Sequence, residues 1–176
     1  MQQSIILTGW PLKPTDEWYP WLKTELENKN HHVFVPNLPT MLTKKPNMSK
    51  MIQYLGKKYT FSNQTNIIGH SLGTVLGMRL AETHKFNNLI LVAGFDFDDL
   101  TTELESFWPN KLNHSKIISN TKSRFVFSSD NDPYVTEYIS KEMSKRLKAD
   151  FILIKNAGHF MKRDGIAQIP QLLSLL

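Results

Sequence analysis

Short runs of Ile, Leu, Val and Phe alternate along the chain with stretches in which apolar residues return every three or four positions. The runs SIILT (4–8), HVFVP (32–36), TNIIG (65–69), NLILVAG (88–94), RFVFSS (124–129) and DFILIK (150–155) have the length and β-branched content of strands. Residues 16–29, 48–59, 72–84, 134–148 and 164–176 carry helical spacing; in the first of these, Trp18, Trp21, Leu22 and Leu26 share a face. Strands that are apolar on both sides and separated by helices predict a parallel sheet covered on both faces. No Asn-Gly or Asp-Gly pair joins neighbouring strands, and Asp164–Gly165 opens the last helical stretch instead. The pattern predicts an α/β, doubly wound fold: a mainly parallel six-stranded sheet with helices on both faces.

A length of 176 residues predicts one domain over 1–176, with no internal repeat and no linker. The stretch 36–46 reads as a surface loop. Residues 95–112, with Phe107, Trp108 and Pro109, read either as a connection with a short helix or as a flap over a pocket. Hydrophobic content of 40% and charged content of 21% belong to a globular chain. No apolar run approaches the roughly 18 residues of a membrane span. The opening MQQSIIL has neither a basic start nor a long apolar stretch, so no export signal is expected and a cytoplasmic protein is. The absence of cysteine excludes disulfides, thiolate metal sites and a cysteine nucleophile.

The net charge of +5 is spread along the chain, with pairs such as Lys44–Lys45 and Lys57–Lys58 but no basic block. It predicts a solvated lysine-rich surface and no nucleic-acid partner. The one charge cluster is acidic: Asp96, Asp98, Asp99, Glu103 and Glu105 read as a solvated face. No histidine spacing suggests a metal.

The segment TNIIGHSLGTVLGMRLAETH (65–84) carries the chemistry. A strand runs into Gly69-His70-Ser71-Leu72-Gly73 and a helix follows at once, which is a G-x-S-x-G nucleophile elbow in the context it requires. A strand that becomes a helix within one residue strains its corner and crowds the positions two before and two after, so only very small side chains fit at 69 and 73. The corner lifts the Ser71 hydroxyl clear of the sheet. A chance match in a chain of this length is expected only in roughly a few per cent of cases.

A serine hydroxyl needs a base, and the base needs an orienting group. The expected order is Ser, acid, His, each after a later strand. Asp130-Asn131-Asp132-Pro133 follows the fifth run and Asn156-Ala157-Gly158-His159 the sixth. His159, in a loop and preceded by glycine, is the base that can reach Ser71. For the acid, Asp130 and Asp132 sit at alternate positions that periodicity does not separate, and Asp96, Asp98 and Asp99 follow the fourth run. Pro133 favours Asp132 by stiffening its loop, and Asp130 is expected to bond backbone N–H groups of its own turn. His70 flanks the serine and points away from it. The two oxyanion donors expected are the backbone N–H of Leu72 and, from the loop Thr8-Gly9-Trp10-Pro11, that of Trp10.

GHSLG, MRLAETH, the Asp-Pro pair at 132–133 and AGHF at 157–160 together resemble the small serine hydrolases related to retinoblastoma-binding protein 9 and their bacterial relatives, over about residues 4–176. The resemblance implies a minimal α/β-hydrolase core without a cap domain, Ser71 as nucleophile, Asp132 as acid, His159 as base, and a carboxylesterase-like activity. The retinoblastoma-binding sequence L-x-C-x-E requires a cysteine, so no partner of that kind is implied. The expected reaction is hydrolysis of a small-molecule ester with no cofactor or metal. A hydrolase-like binding module and an acyltransferase using the same residues are the alternatives. Loops 10–16, 95–112 and 133–138 are expected to wall the pocket.

Overall fold

A computed structural model describes residues 2–97 and 101–176. Its strands are β1 (Gln3–Leu7), β2 (His32–Phe34), β3 (Thr65–His70), β4 (Phe86–Val92), β5 (Thr121–Ser129) and β6 (Asp150–Ile154). They form one sheet in the order β2-β1-β3-β4-β5-β6, and every pairing is parallel. The helices are α1 (Tyr19–Asn28), α2 (Met48–Lys58), α3 (Leu72–Ala81), α4 (His114–Asn120) and α5 (Glu137–Leu147).

The alternation of side chains along a strand divides the core into two layers. Ile5, Leu7, Ile67, Leu89, Leu91 and Val126 face the layer built from α2, α3, α4 and α5. Ile6, Ile68, Ile90, Val92 and Phe127 face the other, where Tyr19, Leu22 and Leu26 of α1 pack with Phe160, Ile169 and Leu172 from the end of the chain. Strands buried on both faces read as continuous apolar runs, and the expected doubly wound α/β sheet is what they form.

Two elements differ from the sequence reading. The helix expected over 164–176 is replaced by short 3-10 turns at Lys162–Asp164 and Pro170–Ser174. Gly165 adopts a left-handed conformation with φ 83° and Pro170 has no N–H to donate, so an α-helix cannot run through either. Residues 114–120, whose apolar content is slight, form α4, capped by the Asn113 side chain on Lys116 N–H. Within 95–112 the described part is a connection with one 3-10 turn at Glu105–Phe107.

Candidate active site

In a parallel sheet all strands end at the same edge, and the chain leaves β3, β5 and β6 there within a few residues of Ser71, Asp132 and His159. Ser71 sits between β3 and α3 with φ 51° and ψ −121°, a conformation that costs a non-glycine residue about 1–3 kcal/mol. Its surroundings hold it there. The Ser71 N–H donates to the Val92 carbonyl at 2.9 Å, and its own carbonyl accepts from the N–H and hydroxyl of Thr74. A Cβ on Gly73 would lie 2.3 Å from the Leu7 carbonyl oxygen, and one on Gly69 2.6 Å from the Gly73 carbonyl oxygen. Those clashes are why the elbow is written with glycines at both positions.

The structure brings the three side chains into one line. Ser71 Oγ is 2.9 Å from His159 Nε2, and His159 Nδ1 is 2.8 Å from Asp132 Oδ2. The other carboxylate oxygen, Asp132 Oδ1, accepts the N–H groups of Tyr134 at 2.8 Å and Val135 at 3.0 Å. Asp132 is thus a buried carboxylate held by three hydrogen bonds, two of them from the backbone just beyond Pro133.

The other aspartates are engaged elsewhere. Asp130 was expected to bond its own turn; instead its Oδ1 accepts the N–H of Asn156 at 2.7 Å, tying the loop after β5 to the loop after β6. Those two loops are neighbours because β5 pairs with β6, a relation invisible to local reading. Asp96 was expected on a solvated face, yet its side chain is 1% exposed. It receives Arg146 through Nε at 2.8 Å and Nη2 at 2.7 Å, and His114 Nε2 at 2.7 Å. Asp98 and Asp99 lie outside the described residues.

Several residues outside the three motif positions hold the site. The buried His70 points to partners other than Ser71, toward α1 and the His159 loop, as expected. There its Nε2 donates to the His159 carbonyl at 2.9 Å, and its Nδ1 accepts from the Tyr19 hydroxyl at 2.7 Å. The same hydroxyl accepts the Gly9 N–H at 3.1 Å. Burial, and secondarily the His159 imidazole, push the His70 pKa down to about 3, so the ring is neutral and this tautomer fits both partners. On the other side of His159, Asp164 Oδ2 accepts the N–H of His159 at 2.9 Å and of Met161 at 3.2 Å. Asn131 Oδ1 accepts the Gly158 N–H at 2.7 Å. The backbone of residue 159 is therefore clamped at its N–H and at its carbonyl. The only sequence signal for these roles is polar residues flanking the motif positions, Asn131 beside Asp132 and His70 beside Ser71.

Ser71 opens into a cavity of about 350 Å³. Trp10, Pro11 and Leu12 wall it on one side, Phe95, Phe97 and Leu104 on another, and Tyr134, Val135 and Ile139 on a third. All three expected loops contribute, and from the 95–112 segment Phe95, Phe97 and Leu104 are pocket wall. Met161 and Arg163 add a fourth side that was not expected. The residues Leu72 and Trp10 both line this cavity beside Ser71, and a Cβ on Gly9 would lie 3.2 Å from Ser71 Cβ. The loop after β1 therefore runs directly alongside the serine. No group of three or more residues suited to a metal occurs among the described residues. Nor is any helix among them long and apolar enough to cross a membrane.

A parallel sheet of this order with a strained serine at the β3–α3 corner defines an α/β-hydrolase fold, here without a cap domain among the described residues. The chain belongs to the serine hydrolase family, whose pattern it matches over residues 4–176. It is 28% identical to the hydrolase YdeN of Bacillus subtilis, over 99% of this chain and 94% of that protein. It is equally 28% identical to the serine hydrolase RBBP9 of Rattus norvegicus, over 92% and 88% of the two chains. The crystal structure of the B. subtilis ydeN product superposes with a TM-score of 0.91, covering 99% of this chain and 96% of that one. Est1E of Butyrivibrio proteoclasticus, at 13% identity and a TM-score of 0.70 over 99% and 90%, shares the fold.

Proposed function

We propose that this hydrolase cleaves a small carboxylic ester through an acyl-enzyme, with Ser71 as nucleophile, His159 as base and then acid, and Asp132 as the orienting carboxylate. The observation that carries this reading is the unbroken line from Ser71 Oγ through the imidazole to Asp132, ending in an apolar cavity. His159 Nε2 takes the Ser71 proton as Oγ bonds to the carbonyl carbon. The tetrahedral oxyanion is held by the N–H groups of Leu72 and Trp10. The C–O bond to the alcohol then breaks, and the proton on Nε2 goes to the departing oxygen. Water repeats the cycle on the acyl-enzyme, releasing the acid and restoring the serine. Asp132 keeps the Nδ1 proton in place and stabilises the imidazolium; it does not itself take the proton.

The amide of Leu72 is supported by its place as the first residue of α3, where a helix has no internal acceptor for its N–H. Trp10 is supported by the closeness of Gly9 to Ser71, and Pro11 has no N–H to offer. A fluorophosphonate probe and a panel of esters of graded acyl length, run on the wild type and on Ser71→Ala, test the reading. Covalent labelling should vanish in the variant and kcat should fall by about 10⁴–10⁶. Labelling that persists in Ser71→Ala would overturn it.

A further inference from the structure

Arg163 is the one permanently charged side chain among the described residues that line the cavity. Its position is defined. Nη2 donates to the Tyr134 hydroxyl at 2.8 Å, and the guanidinium carbon stands 5.6 Å from the centre of the Tyr134 ring. That ring in turn meets the His159 imidazole edge-on, with centroids 5.0 Å apart. Tyr134 is thus a spacer between the group that handles the proton and a cation at the exposed rim.

The carboxylates close to this cation in the chain and at the turn are turned elsewhere. Asp164, the next residue, points inward to the N–H groups of His159 and Met161. Glu17 accepts the N–H of Lys162. A guanidinium carries five N–H donors in a planar fork suited to a carboxylate, and the bond to Tyr134 uses one of them. The remaining donors stand at the edge of a cavity whose other walls are apolar or aromatic.

The direction matters for the chemistry. His159 Nε2 must hand its proton to the leaving oxygen, so the alcohol portion of the ester lies on the His159 side of Ser71. Tyr134 and then Arg163 continue outward from that side. We infer that Arg163 is an anion subsite for the leaving group, so that the preferred substrate is an ester whose alcohol portion is an apolar body about one ring long ending in a carboxylate. This inference rests on the ester-hydrolysis reading above.

The test uses 4-acetoxybenzoate and its methyl ester, which share the acetyl group and the aryl ring and differ in the charge at the far end. The ratio of kcat/KM for the anionic ester to that for the neutral one is measured in the wild type and in Arg163→Gln, Arg163→Lys and Arg163→Glu. Both esters are measured on one preparation, so any loss of folded enzyme cancels in the ratio. The ratio should fall about tenfold in Arg163→Gln, mostly through KM, and further in Arg163→Glu. Arg163→Lys, which keeps the charge but not the fork, should fall between wild type and Arg163→Gln. If both esters are cleaved and the ratio does not move with any of the three, the anion subsite is wrong while the ester reading stands. If the wild type cleaves neither, the ester reading fails and the subsite with it.

Discussion

His70 donates its Nε2 proton to the backbone carbonyl of His159 at 2.9 Å, so the residue beside the candidate nucleophile fixes the main chain of the candidate base. The two imidazoles lie 5.4 Å apart, centre to centre, with their planes tilted by 40°. Tyr19 completes the link by bonding both His70 and the Gly9 N–H. One hydroxyl on α1 therefore joins the strand that carries Ser71, the loop that carries His159 and the loop that runs past the proposed oxyanion position.

Removing that hydroxyl should act on rate more than on binding. Tyr19→Phe leaves the Gly9 N–H and His70 Nδ1 without a partner in a buried place, at a cost of about 1–3 kcal/mol. We expect kcat to fall about tenfold with KM within threefold of wild type. A purely structural role would lower the amount of active enzyme and leave kcat per active site, titrated with fluorophosphonate, where it was.

Asp132→Asn should lower kcat by about 10³–10⁴ with the fold intact, because the amide no longer holds the Nδ1 proton in the productive tautomer. Asp130→Asn should cost less than about tenfold, since its side-chain oxygen can still accept the Asn156 N–H. Steady-state kinetics beside far-ultraviolet circular dichroism decide between them. A crippled Asp130→Asn with an active Asp132→Asn would move the assignment by two residues.

The pH dependence of stability should carry the signature of His70. In the folded protein its pKa is pushed down to about 3, chiefly by burial, while in the unfolded chain it titrates near 6.5. Between those values the unfolded state binds a proton that the folded state does not. The stability from keeping this ring neutral is complete above about pH 6.5 and is lost as pH falls from there toward 3, by at most about 1.4 kcal/mol per pH unit. Urea midpoints between pH 7.5 and 4.5 should decline more steeply for the wild type than for His70→Asn. Parallel declines would show that this ring is not the source.

Two glycines should respond in opposite directions to alanine. Gly56, inside α2, has nothing within 4 Å of an added Cβ, so Gly56→Ala should stabilise by about 0.5–1 kcal/mol and leave kcat alone. At Gly158, φ is 53° and an added Cβ would lie 2.4 Å from Asp164 Cγ. Gly158→Ala should disturb the Asp164 clamp on His159 and lower kcat at least tenfold, with a loss of about 1–3 kcal/mol. Thermal melts and kinetics on the two variants check the pair.

The sheet was legible because its central strands are buried apolar runs set between polar turns, and the elbow at Ser71 because it imposes glycines that a linear pattern can show. His159 followed from its place after the last strand. The clamps were not legible. Asp130 reaches Asn156, Asp96 reaches Arg146, and Tyr19 reaches His70 across 26, 50 and 51 residues. Such partners are chosen by strand order and by which helix covers which face. A window of a dozen residues contains neither. The final helix failed for a local reason: apolar spacing continues through 164–176, but Gly165 and Pro170 interrupt the hydrogen bonds that spacing would need.

The contact between Gly73 and the Leu7 carbonyl is main chain against main chain. The height of Ser71 above the sheet is therefore set by peptide geometry, with no side chain acting as a shim. The B. subtilis ydeN product keeps the same backbone, at a TM-score of 0.91, with only 27% of its residues identical. What drift is free to rewrite is the rim of the cavity, so within this architecture substrate choice and the position of the serine can diverge independently.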